Sequence, residues 1–596
     1  MLKSCVKQKN GHPCLFIDGE SVAPIAYTTY FEERSCYEDF IGVGYRIFFV
    51  NLSFNTLPIN NATGFSPFRV GVFDAPKHPD YSEFEDVVKK ILAKCPKAII
   101  FPRVNISMPK WWCESHPSDT VITSSGKREA LFSENFRKDA SEMLAQAVKH
   151  IKNAEYAHRI GGWQICGGTT QEFFHHDRNG SLGSCAEEPY RLWVKKNYGV
   201  DNASLPSHTD FVYSDKSVQN VENARRFSLF SDLSVAKTID VFAEIVKKET
   251  DFEQVVGAFY GYAFESCNTV LCGTHGLRAL LDSPNLDFFS SPNAYTNNRA
   301  FGIDWADMLP TESVKLHGKL CFIECDVRTY LTSSVQEARP GEYPDHIYKT
   351  KSGESVWSGP PTAALSCAAL RKSFAHQAAR ASAVWWFDMW GGWYDDPALM
   401  TELKKMKMIY DNGFSNDSPL SAEVVFFADE QGYSNLLGDS PQLRGIGNTR
   451  TAMGNTGAPY DIFMVEDAPK ILKDYKAAIF PFPVPSEAGK TAIELCGKLG
   501  VPCLCATAEK YEFTTDEIRE FLRSSDVHIY TEENDVVYAG NGYFGLHSAV
   551  GGEKALKLPK QVHVSPVFGT DVLDQVTDTV VFTLEENGTA LFSVSD

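Results

Sequence analysis

The stretch GGWQICGGTTQEFFHHD, residues 161–177, opens with an apolar run that stops at two glycines and then delivers a single glutamate, Glu172, among aromatics and histidines. An apolar run without strict alternation reads as a strand buried on both faces, as in a parallel sheet. The pattern recurs over the first 410 or so residues: PIAYTTY (24–30), GYRIFFVN (44–51), KAIIFPRV (97–104), IGGWQIC (160–166), QVVGAFYGY (254–262), LDFFSSP (286–292), KLCFIEC (319–325) and AVWWFDM (383–389). Helical segments lie between most of them, at 82–94, 132–153, 187–197, 217–248, 274–282 and 361–381. Eight buried strands alternating with helices predict an α/β fold, a (β/α)₈ TIM barrel spanning residues 1–415.

A second pattern begins near Pro419. AEVVFFADE, APYDIFMVED, YKAAIFPFPV and GVPCLCATA are short apolar strands with helices such as 485–499 between them, predicting an open α/β domain over 416–526. TTDEIREFLRSSDV carries a capping signature followed by a short helix. From 527 to 596 short strands with Gly and Asn turns predict a small, β-sandwich-like domain, with EENGT as a hairpin turn.

Composition narrows the partners. The 596 residues carry a formal charge of −19, so the overall field repels phosphate backbones and anionic membranes; a neutral or cationic small substrate fits better. No apolar run of about 18 residues predicts a membrane span. The N-terminus lacks the apolar core of a signal peptide, and the 15 cysteines are scattered. Together these predict a cytoplasmic protein without a disulfide framework.

In a TIM barrel, side chains just past the C-terminal strand ends face the active site. The polar and aromatic residues there are Arg103 and Asn105 after the third strand, Gln171 and Glu172 after the fourth, and Tyr260 and Glu265 at the fifth. Asn293 and Tyr295 follow the sixth strand; Glu324, Asp326 and Arg328 belong to the seventh; Trp386, Asp388, Trp390 and Trp393 belong to the eighth. Two carboxylates converging across a barrel mouth suit glycoside hydrolysis: one protonates the leaving oxygen, the other attacks the anomeric carbon or activates water. Glu172, between aromatics, has the setting that raises a carboxyl pKa and makes an acid; Glu324, with Arg328 nearby, has the setting of an ionised nucleophile. Taken singly, Glu172 reads more readily as a solvated loop acid, and Glu324 equally as a buried acid paired with Arg328; the two together point to catalysis. In WWFDMWGGWYDD (385–396) a strand of period two cannot turn every ring inward. Trp385 reads as core; some of Trp386, Phe387, Trp390, Trp393 and Tyr394 would line a cavity and stack on a sugar face. His175, His176 and Asp177 are adjacent, a poor spacing for metal ligands, and Cys113 with Cys166 lacks an accompanying CxxC, so neither metal nor cofactor is expected.

FPRVNISMPKWW, GGWQICGGTTQEF, GKLCFIECDVRT and VWWFDMWGGWYDD, in this order and followed by the α/β segment GAPYDIF and a small β-domain, make the chain resemble the retaining (β/α)₈ clan of glycoside hydrolases, nearest to family 42 β-galactosidases. The resemblance implies an acid/base at Glu172, a nucleophile at Glu324, a glutamine-amidotransferase-like second domain and a homotrimer. It departs from the clan at Gln171, where an Asn usually precedes the acid/base and holds the sugar 2-hydroxyl. That change puts a β-mannosidase, or another β-glycosidase, beside a β-galactosidase. A catalytically silent sugar-binding protein on the same scaffold is the reading from a different class.

Overall fold

The computed structural model describes residues 1–59, 64, 66–123, 126–175, 183–207, 210, 221–264, 273–295, 299–342, 358–436 and 440–596. Eight parallel strands close into a barrel with each strand beside its sequence neighbours: Ile25–Thr29, Ile47–Ser53, Ile99–Asn105, Gly162–Cys166, Val255–Phe259, Phe288–Ser290, Leu320–Cys325 and Ala383–Asp388. Every residue of these strands is buried, which is why the sequence shows continuous apolar runs. The surrounding helices are held by local signals. Ser133 caps Glu134–Lys152, whose buried Phe136, Ala140, Leu144, Ala147 and Ile151 repeat at helical spacing. Asp396 caps Pro397–Asn412 with proline in the first turn.

A three-stranded antiparallel sheet, Ser4–Lys9, His12–Ile17 and Glu20–Ser21, precedes the barrel and has no counterpart in the sequence reading. It plugs the N-terminal end of the strands: the Leu2 and Ser4 amides donate to the carbonyls of Ile160 and Glu253, which lead into the fourth and fifth strands.

After the barrel, Val424–Ala428, Tyr460–Met464, Ala477–Phe480 and Cys503–Cys505 form a four-stranded parallel sheet in the order second, first, third, fourth. Thr514 and Glu517 make the capping box of the helix Thr515–Ser524. The last five strands, Val536–Gly540, Tyr543–His547, Gly552–Phe568, Gln575–Leu584 and Thr589–Ser595, form one antiparallel sheet where a sandwich-like pair was expected. The EENGT turn is not a hairpin: the strands it joins lie on either side of Gly552–Phe568.

A charged seam ties the second sheet to the barrel. Glu312 accepts from Lys315 and Arg380 at 3.0 and 2.9 Å and from the Ile462 amide at 2.9 Å. A buried hydrogen-bonded chain runs from Tyr460 through Asp304, His376 and Asp307 to Asn293 at the end of the sixth barrel strand. Burial opposes a charge on His376, but Asp307 and Asp304 hold its pKa above the ordinary value. Among the described residues, no helix is long and apolar enough to cross a membrane. The described cysteines are all free thiols.

Candidate active site

The strand parity sets which side chains reach the barrel lumen. Arg103 points inward, its guanidinium carbon 5.2, 5.1, 5.3 and 5.9 Å from the ring centres of Tyr30, Phe259, Trp385 and Phe387. None of its three guanidinium nitrogens has a well-aligned hydrogen-bond partner among the described residues. Trp385, expected in the core, is there: it is fully buried inside the barrel against Phe49, Phe259 and Phe387. Trp386, expected at the cavity, is one residue out of phase and points to the helical layer, where its Nε1 donates to Tyr45 at 2.9 Å. Tyr260 fails for the same reason: its hydroxyl bonds the Gly273 carbonyl and the Gly276 amide. Tyr262, which the sequence reading did not single out, lies beside the Glu172 carboxyl in place of Tyr260.

Glu172 does not sit directly on the strand end. After Cys166 the chain folds into a small closed loop, with Gly167 bridged to Glu172 and Thr169 to Phe174. Gly168 takes φ +66°, and a Cβ there would lie 2.5 Å from the Phe174 carbonyl oxygen, so glycine is required. Thr170, Gln171 and Phe173 are also left-handed, at 59°, 68° and 56°. Non-glycine residues rarely adopt this region, and such outliers gather at functional sites. The loop returns the Glu172 carboxyl, half-buried, to the barrel mouth beside Tyr262 and Arg103.

Glu324 is the penultimate residue of the seventh strand, 2% exposed. Burial pushes Glu172 up to about 7 and Glu324 up to about 8, and the charge of Glu172 adds to the rise at Glu324. The cations distinguish them: Arg103, then Arg299 and Arg328, favour the ionised form of Glu324, whereas only Arg103 acts on Glu172. Arg328, expected to be the partner of Glu324, forms its ion pair with Asp326 and stacks 4.5 Å from the ring centre of Trp393. Arg299, missed in the sequence because it lies in a loop away from any strand, also reaches Asp326, at 3.3 Å.

The remaining expected residues divide by what they touch. Asp388 spends both oxygens locally, accepting from Tyr27 Oη at 2.9 Å and from the Gly392 and Trp393 amides at 3.0 Å each. It shapes the turn carrying Trp390 and Trp393 instead of facing a ligand. Asn293 donates to Asp307, and Asn105 to Ser53. Tyr295 stacks with Arg299 and lies within electrostatic reach of both glutamates. Gln171 is buried, with Tyr30 donating to its Oε1 at 3.5 Å. Glu265, His176 and Asp177 lie outside the described residues. His175 accepts from the Leu131 amide and packs on Phe132. Among the described residues no three His, Cys, Asp or Glu side chains are grouped to hold a metal.

Asn51 Oδ1, Asn105 Oδ1, both polar ends of Gln164, Gln171 Nε2 and Asn293 Oδ1 are buried without a hydrogen-bond partner among the described residues. Buried polar groups are normally satisfied, so this group on the barrel strands and just beyond their ends calls for an explanation.

The closed eight-stranded barrel with a carboxyl pair at its C-terminal mouth places the chain in the (β/α)₈ class. Among the solved structures it is similar to are, more particularly, β-galactosidases and an exo-carrageenase. A β-galactosidase from Bacillus circulans sp. alkalophilus has a TM-score of 0.62 and 10% identity, over 96% of this chain and 98% of that one. A β-galactosidase from the psychrophilic Marinomonas ef1 has a TM-score of 0.58 and 10% identity, over 96% and 100%. A family 42 exo-carrageenase from Bacteroides ovatus has a TM-score of 0.56 and 13% identity, over 99% and 84%. At these identities the likeness is one of fold, and it extends over nearly the whole chain. No protein-family model matches the sequence, and no curated protein matches it.

Proposed function

We propose that the protein is a retaining exo-β-glycosidase acting on short β-glycosides, with Glu172 as acid/base and Glu324 as nucleophile. The observation that carries this reading is the pair of carboxyls at the barrel mouth, Glu324 buried and Glu172 half-buried and close enough for its charge to raise Glu324, set among partnerless polar groups. In a double displacement Glu324 attacks the anomeric carbon while Glu172 protonates the departing oxygen; Glu172 then takes a proton from the water that releases the sugar. Arg103, Arg299 and Arg328 offset part of the rise that burial and Glu172 impose on Glu324, which still stands at about 8, so its assignment as nucleophile is supported by its place at the strand end and not by its charge at neutral pH.

A β-galactoside is the favoured substrate, in keeping with the β-galactosidase folds the chain resembles. Gln171 supports the second reading, a β-mannosidase: its Nε2 is a buried donor without a partner, one methylene further from the backbone than an Asn would be. A panel of aryl β-glycosides (galacto, manno, gluco, fuco, arabino) separates the two, and NMR of the first-formed sugar should show the β-anomer. Hydrolysis of none of them, or release of the α-anomer, would overturn the mechanism. We also propose a cytoplasmic homotrimer assembled through the 416–526 segment, as the family 42 resemblance implies for the trimer. Light scattering should then give about three times the 66.3 kDa chain mass.

A further inference from the structure

The loop carrying Glu172 holds a residue that its backbone should reject. Thr170 has φ 59°, and a β-branched side chain is among the worst choices for the left-handed region. Its amide donates to the Ile59 carbonyl at 2.7 Å, a bond that glycine or asparagine would make equally well. What only a hydroxyl residue supplies is the contact beyond it. Thr170 Oγ1 lies 2.5 Å from Glu172 Oε2 and 2.6 Å from the Thr169 carbonyl oxygen.

A hydroxyl has one proton to donate and lone pairs to accept with. If the Thr170 proton goes to the Thr169 carbonyl, its contact with Glu172 is a hydrogen bond only when the carboxyl is protonated and donates. If Glu172 is ionised, the hydroxyl turns and donates to the carboxylate. Rotation about one bond therefore keeps the contact in both states. The other groups facing Glu172 come from neighbouring barrel strands or the segments that follow them: Arg103, Tyr262, Glu324, Tyr30, Cys166 and Tyr295. Thr170 alone among these partners belongs to the acid's own loop and moves with it.

We propose that Thr170 is a positioning residue for Glu172, its hydroxyl accepting from the carboxylic acid and donating to the carboxylate, so that one side chain supports both the proton-giving and the proton-taking half of the reaction. This rests on the reading of Glu172 as acid/base. A hydrogen bond to a charged acceptor outweighs one to a neutral acid, so the hydroxyl works against the burial that raises Glu172.

The test is the basic limb of kcat/KM against pH on an aryl β-glycoside with a poor leaving group, together with carboxyl ¹³C titration of Glu172, assigned by its loss in Glu172→Gln. Thr170→Val should move both upward by about one pH unit, and Thr170→Ser should restore them. Thr170→Gly relieves the backbone and should unfold no earlier than the wild type, yet show the same shift as Val. A wild-type profile in the Val and Gly variants, or a Ser variant shifted like Val, overturns the proposal. A shifted carboxyl titration in a protein that cleaves no glycoside would leave Thr170 in place and remove the glycosidase reading instead.

Discussion

At the scale of single residues, the two glutamates are told apart by what each loses. Glu324→Ala should abolish turnover of every substrate, because no glycosyl-enzyme forms, and azide should restore it by attack from the vacated face, giving an α-glycosyl azide. Glu172→Ala should slow substrates with poor leaving groups far more than activated aryl glycosides, and azide should there give the β-product. Product stereochemistry by NMR decides; the same anomer from both variants would undo the assignment. Both glutamates were legible in the sequence because each follows a long apolar run. Their neighbours were less so, because a strand end reveals candidates but not parity. Trp385 and Trp386 differ by one position and face opposite sides, as do Phe259 and Tyr260. Only the register against neighbouring strands settles which residue of each pair meets the site. Arg299 and Thr170 were not legible at all, since a loop has no period to read.

At the scale of elements, the turn after the eighth strand shows how a carboxyl can matter without touching substrate. Gly391 and Gly392 are left-handed, at 72° and 78°, and a Cβ on Gly391 would lie 2.5 Å from that of Arg34. The backbone amides freed by this turn are gathered by Asp388, whose pKa burial pushes up to about 6 against the bonds from Trp393, Tyr27 and Gly392. Asp388→Asn turns an amide NH₂ toward these donors. It should cost about 2 kcal/mol of stability in thermal or denaturant unfolding and lower kcat/KM at least tenfold through displaced Trp390 and Trp393. Unchanged kinetics would show the turn to be remote from substrate. The elements themselves were read well: all eight barrel strands fall within or beside the expected runs, because burial on both faces leaves a dense apolar signature. The N-terminal sheet escaped because its short strands are partly exposed and alternate only weakly. The C-terminal strand order escaped because EENGT signals a turn but not which strands pair.

At the scale of the whole molecule, the Glu312 cluster binds the barrel to the second sheet. Burial opposes its charge, but Arg380, Lys315 and the Ile462 amide hold its pKa well below the usual carboxylate range, while neighbouring Asp461 is pushed up. A depressed carboxyl contributes stability above its unfolded pKa, near 4, and loses it as pH falls through the folded value. Glu312→Gln should therefore cost about 3 kcal/mol at neutral pH, since it leaves Arg380 without its buried partner. The gap to wild type in thermal unfolding should stay level above about pH 5 and narrow below about pH 4. A gap that widens in acid would contradict this.

The chain from Tyr460 through Asp304 and His376 to Asn293 bears on how this protein could be cut or recombined. The apolar core of the barrel does not end with the barrel: Met464, Val536, Tyr538, Tyr543 and Leu591 belong to it, while Ala263 and Phe264 pack into the core of the second sheet. A fragment ending near residue 415 would bare that apolar surface, take the Ile462 amide from Glu312 and the Tyr460 carbonyl from Arg380, and leave His376 between carboxylates that had lost the Tyr460 end of their chain. The barrel is thus not a cassette to be swapped among scaffolds. Inheritance and engineering alike would have to carry all three blocks together, or rebuild the face where they join.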